Sequence, residues 1–389
     1  MSKRRSGAVS IPVSIGDYLA TIVAPHRLAA EIRSTLGDVL RADGPRGATI
    51  AIRARGTTDQ VSVDGRVWEP GQIVSALDQL IYVLLRVTLD HEADLLHLHT
   101  GYVARSGVGV FLAGVPRSGK STLVAQMVEA EFDYLTDERV GVDRTGALKP
   151  MPKPISLVAG DDDVVSHLNP AVTGNGSASD RLWHIPIAPL GGVVVEKAQP
   201  KLIVFVAYRE GEPLQVNDVH PAEAVRLLLS DSPDAGRFGP DSIRVAAGLV
   251  APLRCVEMCF SNGSEAIEAI GELLDQPTLP KAPVTVMDFP GPRTDRALAD
   301  RSESPAVPTR SPGVAGIVIG GRCVLSRPGD TDVIELDELA SSWLQLVDGV
   351  SPLTDIVNDV AEVNGVPPAH VSETASRVIA DLIALGVVE

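Results

Sequence analysis

The stretch Gly114-Val115-Pro116-Arg117-Ser118-Gly119-Lys120-Ser121, followed by Thr122, restricts how this chain can fold more than any other. Glycine at both ends frees the backbone to turn its N–H groups inward, and successive inward N–H groups make a cradle for phosphate oxygens. The cradle works when a strand stops just before it and a helix starts inside it, so that the positive end of the helix dipole meets the anion. Both flanks are present: Gly107 to Val115 is a short aliphatic run, and Ser121 to Ala130 reads as a helix. Lys120 would neutralise terminal phosphates and Ser121 would ligate magnesium. The pattern predicts α/β organisation, with Gly114 through Thr122 as a P-loop for ATP and Mg2+.

A P-loop alone does not separate a switch, a motor and a kinase, so the acidic residues that follow have to decide. Asp137 and Glu138 come directly after the strand-like pair Tyr134-Leu135. In a parallel sheet this would set two carboxylates at the carboxyl edge beside the loop. One could hold the metal while the other accepts a proton from an attacking hydroxyl. Lys153 and Arg181 are cations a phosphoryl-transfer site could recruit, and His184, beside Trp183, reads as a packed or substrate-wall residue. Asp161-Asp162-Asp163 reads as a helix start or a solvated face, and Asn175 to Asp180 as a loop that either closes over the site or is idle.

The rest of the chain frames this centre. Residues 1–92 form an α+β lead-in, with strand-like runs around Ile50 and up to Trp68, a turn at Asp64-Gly65, and a helix from Gln72 to Leu89 expected to pack on the following sheet. Residues 93–287 are the P-loop domain, with further strands expected at Gly192 to Val195 and Lys201 to Ala207. Residues 288–311, rich in Pro, Arg, Asp and Ser, read as a linker, and residues 312–389 as a small winged-helix-like module. In that module Leu353, Ile356, Val357 and Val360 share one helical face, and Ala375, Val378, Ile379 and Leu382 another.

Charge and cysteine usage exclude several classes. A net charge of −16 opposes nucleic-acid binding. The three cysteines, Cys255, Cys259 and Cys323, do not make a metal-ligand quartet and read as small core residues. No stretch is apolar enough to cross a membrane, and no apolar block follows Lys3, Arg4 and Arg5 as in a secretory signal. The expected location is the cytoplasm.

LHTGYV around His99, then GVPRSGKST, then YLTDERV resembles the HPr kinase/phosphorylase superfamily, clearly over Leu95 to Asp143 and diffusely to about Glu272. The resemblance implies a fold akin to phosphoenolpyruvate carboxykinase and transfer of the ATP γ-phosphate to a hydroxyl. It implies Asp137 as catalytic base, Glu138 and Ser121 as magnesium ligands, and His99 and Lys120 as catalytic groups near the phosphates. Two departures stand out. The family's Asp-Asp is Asp137-Glu138 here, and its His-Gly step is broken by Thr100; both suggest a divergent kinase, and the phosphorolysis motif is not found.

The tail, SSWLQLVDGVSPLTDIVNDV then VSETASRVIADLIALGVV, resembles the PqqD-like peptide-recognition domain over Pro312 to Glu389. That likeness implies a leader peptide added to a sheet edge, with GRCVLS and the helix after Ala375 lining the groove. The fusion points to phosphorylation of a Ser or Thr hydroxyl on a ribosomal precursor peptide captured by the tail. Two other readings stay open: a kinase of a small-molecule hydroxyl, an amino acid or sugar, and an ATP-dependent binding switch. The superfamily likeness also leaves homo-oligomers open, although no residue names an interface.

Overall fold

The computed structural model describes residues 8–15, 18–37, 48–55, 58–68, 76–158, 182–233, 235–239, 241–278, 280–287, 289, 307–327, 329–330 and 332–389. Its contacts gather into two compact units, one of Met1–Asp218 with Val256–Thr278, the other of Val219–Cys255 with Leu279–Glu389. Arg181, Asp161-Asp162-Asp163 and the Asn175 to Asp180 loop lie outside the described residues.

The first unit opens with β1 (Ala8–Ile15), β2 (Tyr18–Pro25), α1 (His26–Leu36), β3 (Ala48–Arg55), β4 (Thr58–Val63) and β5 (Arg66–Val67). The strands form a five-stranded sheet in that order, antiparallel except where β3 runs parallel to β2. Alternation along β1 turns Ile11 and Val13 inward, and α1 buries Ala29, Ile32 and Leu36 against the same core. Helix α2 (Ala76–His91) adds Leu80, Ile81, Val83, Leu84 and Leu85 to it. The buried face of the helix therefore joins the core of the preceding sheet, where its position suggested the following one.

Next come β6 (Leu96–Arg105), β7 (Val108–Ala113), α3 (Lys120–Glu129), β8 (Asp133–Thr136), β9 (Arg139–Val142), β10 (Leu148–Pro150), the pair β11 (Ile155–Val158) and β12 (Leu182–Ile185), β13 (Gln199–Tyr208) and β14 (Gln215–Asp218). The chain then leaves for α4 (Pro221–Ser230), α5 (Ala235–Phe238) and α6 (Asp241–Val250), and returns as β15 (Arg254–Phe260) and α7 (Gly263–Asp275). Eight strands make one sheet in the order β10-β9-β6-β7-β13-β15-β14, with β8 also on β6. It is mixed: β13 is parallel to β7, whereas β6 is antiparallel to β7, β8 and β9. In place of the expected strand at Gly192 to Val195 there is a single bridge from Val194 to Tyr134. Leu123, Val124, Met127 and Val128 of α3 pack on Val103, Leu112 and Val204 of the sheet in one buried cluster.

In the second unit, β16 (Val284–Met287), β17 (Ala315–Ile319), β18 (Arg322–Ser326) and β19 (Val333–Glu335) form an antiparallel sheet in that order, followed by α8 (Glu338–Leu346), α9 (Leu353–Asn364) and α10 (Pro368–Ala384). The run GIVIGGRCVLS is thus a hairpin turning at Gly320-Gly321, both at positive φ. One face, with Met287, Cys323 and Leu325, shares a core with Trp343, Leu344, Ile356, Val357, Ala375, Val378, Ile379 and Leu382 of the three helices. On the alternate positions Ile317, Ile319 and Val324 are also fully buried, and α4 and α6 both contact the sheet. Two-sided burial explains why these strands read as continuous apolar runs. No helix among the described residues is long and apolar enough to cross a membrane.

Candidate functional site

The loop between β7 and α3 is shaped by its glycines. At Gly114 a Cβ would stand 2.6 Å from Ser118 Oγ and 2.7 Å from the Val206 carbonyl, so no side chain fits. Arg117 and Gly119 adopt left-handed φ of 69° and 85°, and Ser118 N–H turns back to the Val115 carbonyl at 3.1 Å. Tyr208 N–H donates to the Ser118 carbonyl at 2.9 Å, tying the loop to β13. Lys120 is buried with its ammonium 3.4 Å from the Gly114 carbonyl, while Ser121 and Thr122 are half-buried in the first turn of α3. Val115, Pro116 and Arg117 are exposed. Ser118 Oγ is buried and has no hydrogen-bond partner among the described residues. A buried hydroxyl with no protein partner, inside a loop too tight for a Cβ, suits the donor set of an anion-binding loop.

The acids do not end a parallel strand. Strands β8 and β9 pair in turn with the same antiparallel partner, β6, and Asp137-Glu138 is the interruption between them. Because β7 and β8 flank β6, they run in the same direction with one strand between them, so both chain ends emerge on one side. Thr100 joins the two. Its N–H donates to the Glu138 carbonyl at 3.0 Å, and its buried hydroxyl is shared between the carbonyls of Gly101 and of Leu112, one residue before the end of β7, both at 2.9 Å. The residue that breaks the family's His-Gly step is therefore a strut between the loop's strand and the acid pair. His99, half-buried on β6, stands opposite Arg139 in the register.

Asp137 and Glu138 differ sharply in setting. The Asp137 side chain is 1% exposed and that of Glu138 28%. The Tyr134 hydroxyl lies 2.9 Å from Asp137 Oδ1 and 2.7 Å from the Lys153 carbonyl, Ser156 N–H donates to Oδ2 at 3.1 Å, and the fully buried Lys153 ammonium sits 2.9 Å away. The same ammonium lies 3.2 Å from Glu138 Oε2 and donates to Ser156 Oγ at 2.9 Å. Burial alone would lower the Lys153 pKa, but Asp137 and Glu138 raise it above the usual lysine value. Burial would raise Glu138, yet Lys153, Arg139 and His99 hold it below the usual carboxylate value. Burial, with Asp137 alongside, pushes the Tyr134 phenol well up, so it stays a neutral donor.

The polar chain continues outward. Ser156 Oγ is 3.1 Å from His184 Nδ1, and His184 Nε2 is 2.6 Å from Asp78 Oδ1 on α2. Of the residues singled out in the sequence, Lys153 and His184 therefore join Asp137 and Glu138 in one network, with Lys153 meeting carboxylates where a phosphate contact was expected. Tyr134, Ser156 and Asp78 were missed. Tyr134 had a signal, a buried aromatic hydroxyl three positions before the acid; Asp78 had none, since nothing local marks a helix-start aspartate as the partner of a histidine beyond residue 180.

The C-terminal helices carry their own polar turn. Asp348 Oδ1 accepts from the N–H groups of Val350 and Ser351, both at 2.8 Å, and Gly349 beside it takes φ 77°. A short antiparallel sheet, a capped helix, this turn and two amphipathic helices thus follow one another. Residues 322–388 match the family model described as coenzyme PQQ synthesis protein D (PqqD). β18, with which the matched stretch of this PqqD-like domain opens, is an inner strand, with β17 and β19 on its two sides. The GRCVLS segment is thus not a free edge, contrary to what the groove expectation required. No curated protein matches the chain.

Proposed function

We propose that the chain is an ATP-dependent phosphotransferase whose acceptor is a hydroxyl of a precursor peptide recruited through its PqqD-like domain. The observation that carries this reading is the double hold of Thr100, which ties the strand of the phosphate loop to the acid pair. The order His99, loop, acids, and its likeness to HPr kinases, support the same assignment. PqqD domains bind precursor peptides or partner enzymes, which supports a place in peptide-modifying biosynthesis.

ATP and magnesium suit the residues present. The loop N–H groups and Lys120 would hold the phosphates, and Ser121 and Glu138 would hold a magnesium ion that arrives with them, as such ions commonly take one or two protein ligands beside phosphate oxygens. The bound nucleotide supplies an electrophilic phosphoryl group. Asp137, held by Lys153 at 2.9 Å, would take the acceptor's proton, with His99 and Arg139 adding positive charge near Glu138. The greater exposure of Glu138 favours a second assignment, in which it is the base and Asp137 only anchors Lys153.

Asp137→Asn and Glu138→Gln, assayed by mass spectrometry of peptide acceptors with ATP, separate these. Loss of the base should cost about 10²- to 10⁴-fold in turnover with ATP affinity retained. If Glu138→Gln alone does so, the roles exchange. Phosphorylation of an amino acid or sugar but no peptide would move the acceptor to a small molecule; ATP binding with no phosphorylated product at all would leave a binding switch.

A further inference from the structure

Ser156 is the branch point of the buried polar chain. Its N–H holds Asp137 Oδ2, and its hydroxyl oxygen receives a proton from Lys153. With Nδ1 of His184 unprotonated, the hydroxyl's own proton has it, at 3.1 Å, as its acceptor. A neutral imidazole that accepts on Nδ1 carries its proton on Nε2, and Nε2 faces Asp78 Oδ1 at 2.6 Å. Every donor and acceptor in the chain thus runs one way: Lys153 to Ser156, Ser156 to His184, His184 to Asp78.

We propose that His184 and Asp78 are positioning residues that set the direction of this chain and so hold the Lys153–Asp137 pair in place. Asp78 fixes the tautomer of His184, and that tautomer leaves Nδ1 free to draw the Ser156 proton. The Ser156 oxygen is then presented to Lys153 with its lone pair. Reverse the imidazole and Nδ1 becomes a donor: the Ser156 oxygen then accepts from both Lys153 and His184, and its own proton loses the acceptor it had on the ring. The hold of Ser156 on the ammonium, and with it the fixed geometry of the Lys153–Asp137 pair, would loosen. The functional weight of this arrangement rests on Asp137 acting in phosphotransfer; the arrangement itself does not.

The test uses the full chain labelled with 15N-lysine, the Lys153 ammonium signal being assigned by its loss in Lys153→Met. A fully enclosed ammonium exchanges its protons slowly. Asp78→Ala, a change on a partly exposed helix position, should speed that exchange about tenfold or more through local loosening, and His184→Ala should do the same. Asp78→Asn, which keeps an acceptor oxygen for Nε2–H, should restore slow exchange. Unchanged exchange in Asp78→Ala, or no difference between Asp78→Ala and Asp78→Asn, overturns the proposal. Turnover, measured on the same proteins, should fall in Asp78→Ala with ATP affinity retained. A wild-type chain without phosphotransfer sinks the kinase reading while the lysine exchange still decides this one.

Discussion

Lys153 is the residue on which the acid pair depends. The ammonium and Asp137 are enclosed and Glu138 is mostly so, and removing the cation leaves the Asp137 charge buried without its ion partner. Lys153→Met should therefore destabilise the chain at neutral pH by about 3–5 kcal/mol. The pH dependence has a definite sign. In the wild type, Glu138 is held below its ordinary value, so its contribution is present above the ordinary carboxylate range and is lost as pH falls through the folded value. In Lys153→Met the largest positive neighbour of Glu138 is gone, so the variant is least impaired in acid and the deficit grows with rising pH. Urea unfolding at pH 5 and pH 8 checks this; an equal deficit at both would contradict it. Lys153 was visible in the sequence as a lone cation, but its partner was not, because pairing across the break between β8 and β9 is a property of the ladder and leaves no local pattern.

At the scale of elements, the close approach of α3 to β6 fixes where Lys120 and Ser121 stand. A Cβ on Gly101 would lie 2.7 Å from Val124 Cγ2, and Val124 is fully buried. Gly101→Ala should push α3 off the sheet and cost about 1–3 kcal/mol. Val124→Ala combined with it should recover part of that loss, a non-additivity measurable by denaturant titration. Asp348 offers a separate check on the PqqD-like domain: N–H donation from Ser351 and then Val350 lowers its pKa to about 2, so NMR titration should find its midpoint near there, and Ser351→Pro should move it up. Elements that repeat a pattern were readable in advance. The loop with its strand and helix, and the amphipathic α9 and α10, follow from composition and period. Strand directions were not: β6 runs antiparallel between β7 and β8, and short strands such as β16 and β19 carry too few residues for a period to show.

Across the whole molecule, the division by contacts cuts the chain in a place its composition does not mark. The helices α4 and α6 belong with the C-terminal sheet, and Ala222, Val225, Leu228, Ile243 and Ala246 are buried. A chain stopped after residue 306 would lack β17 to β19 and leave apolar helix faces uncovered. It should bind a hydrophobic dye and associate during gel filtration, whereas point changes on α10 should leave the protein monodisperse relative to wild type. A Pro- and Ser-rich stretch signals a break in composition, but the helices that pack across it are set by shape complementarity between segments far apart in sequence. The far end of the same unit is closed by Thr309 and Glu389, whose backbones exchange hydrogen bonds at 2.9 and 2.8 Å. During synthesis, α4 and α6 leave the ribosome long before the sheet that shelters them, and the clasp at Thr309 waits for Glu389. Until the sheet is made, the apolar faces of α4 and α6 stay exposed on the newborn chain, the condition under which chains associate wrongly.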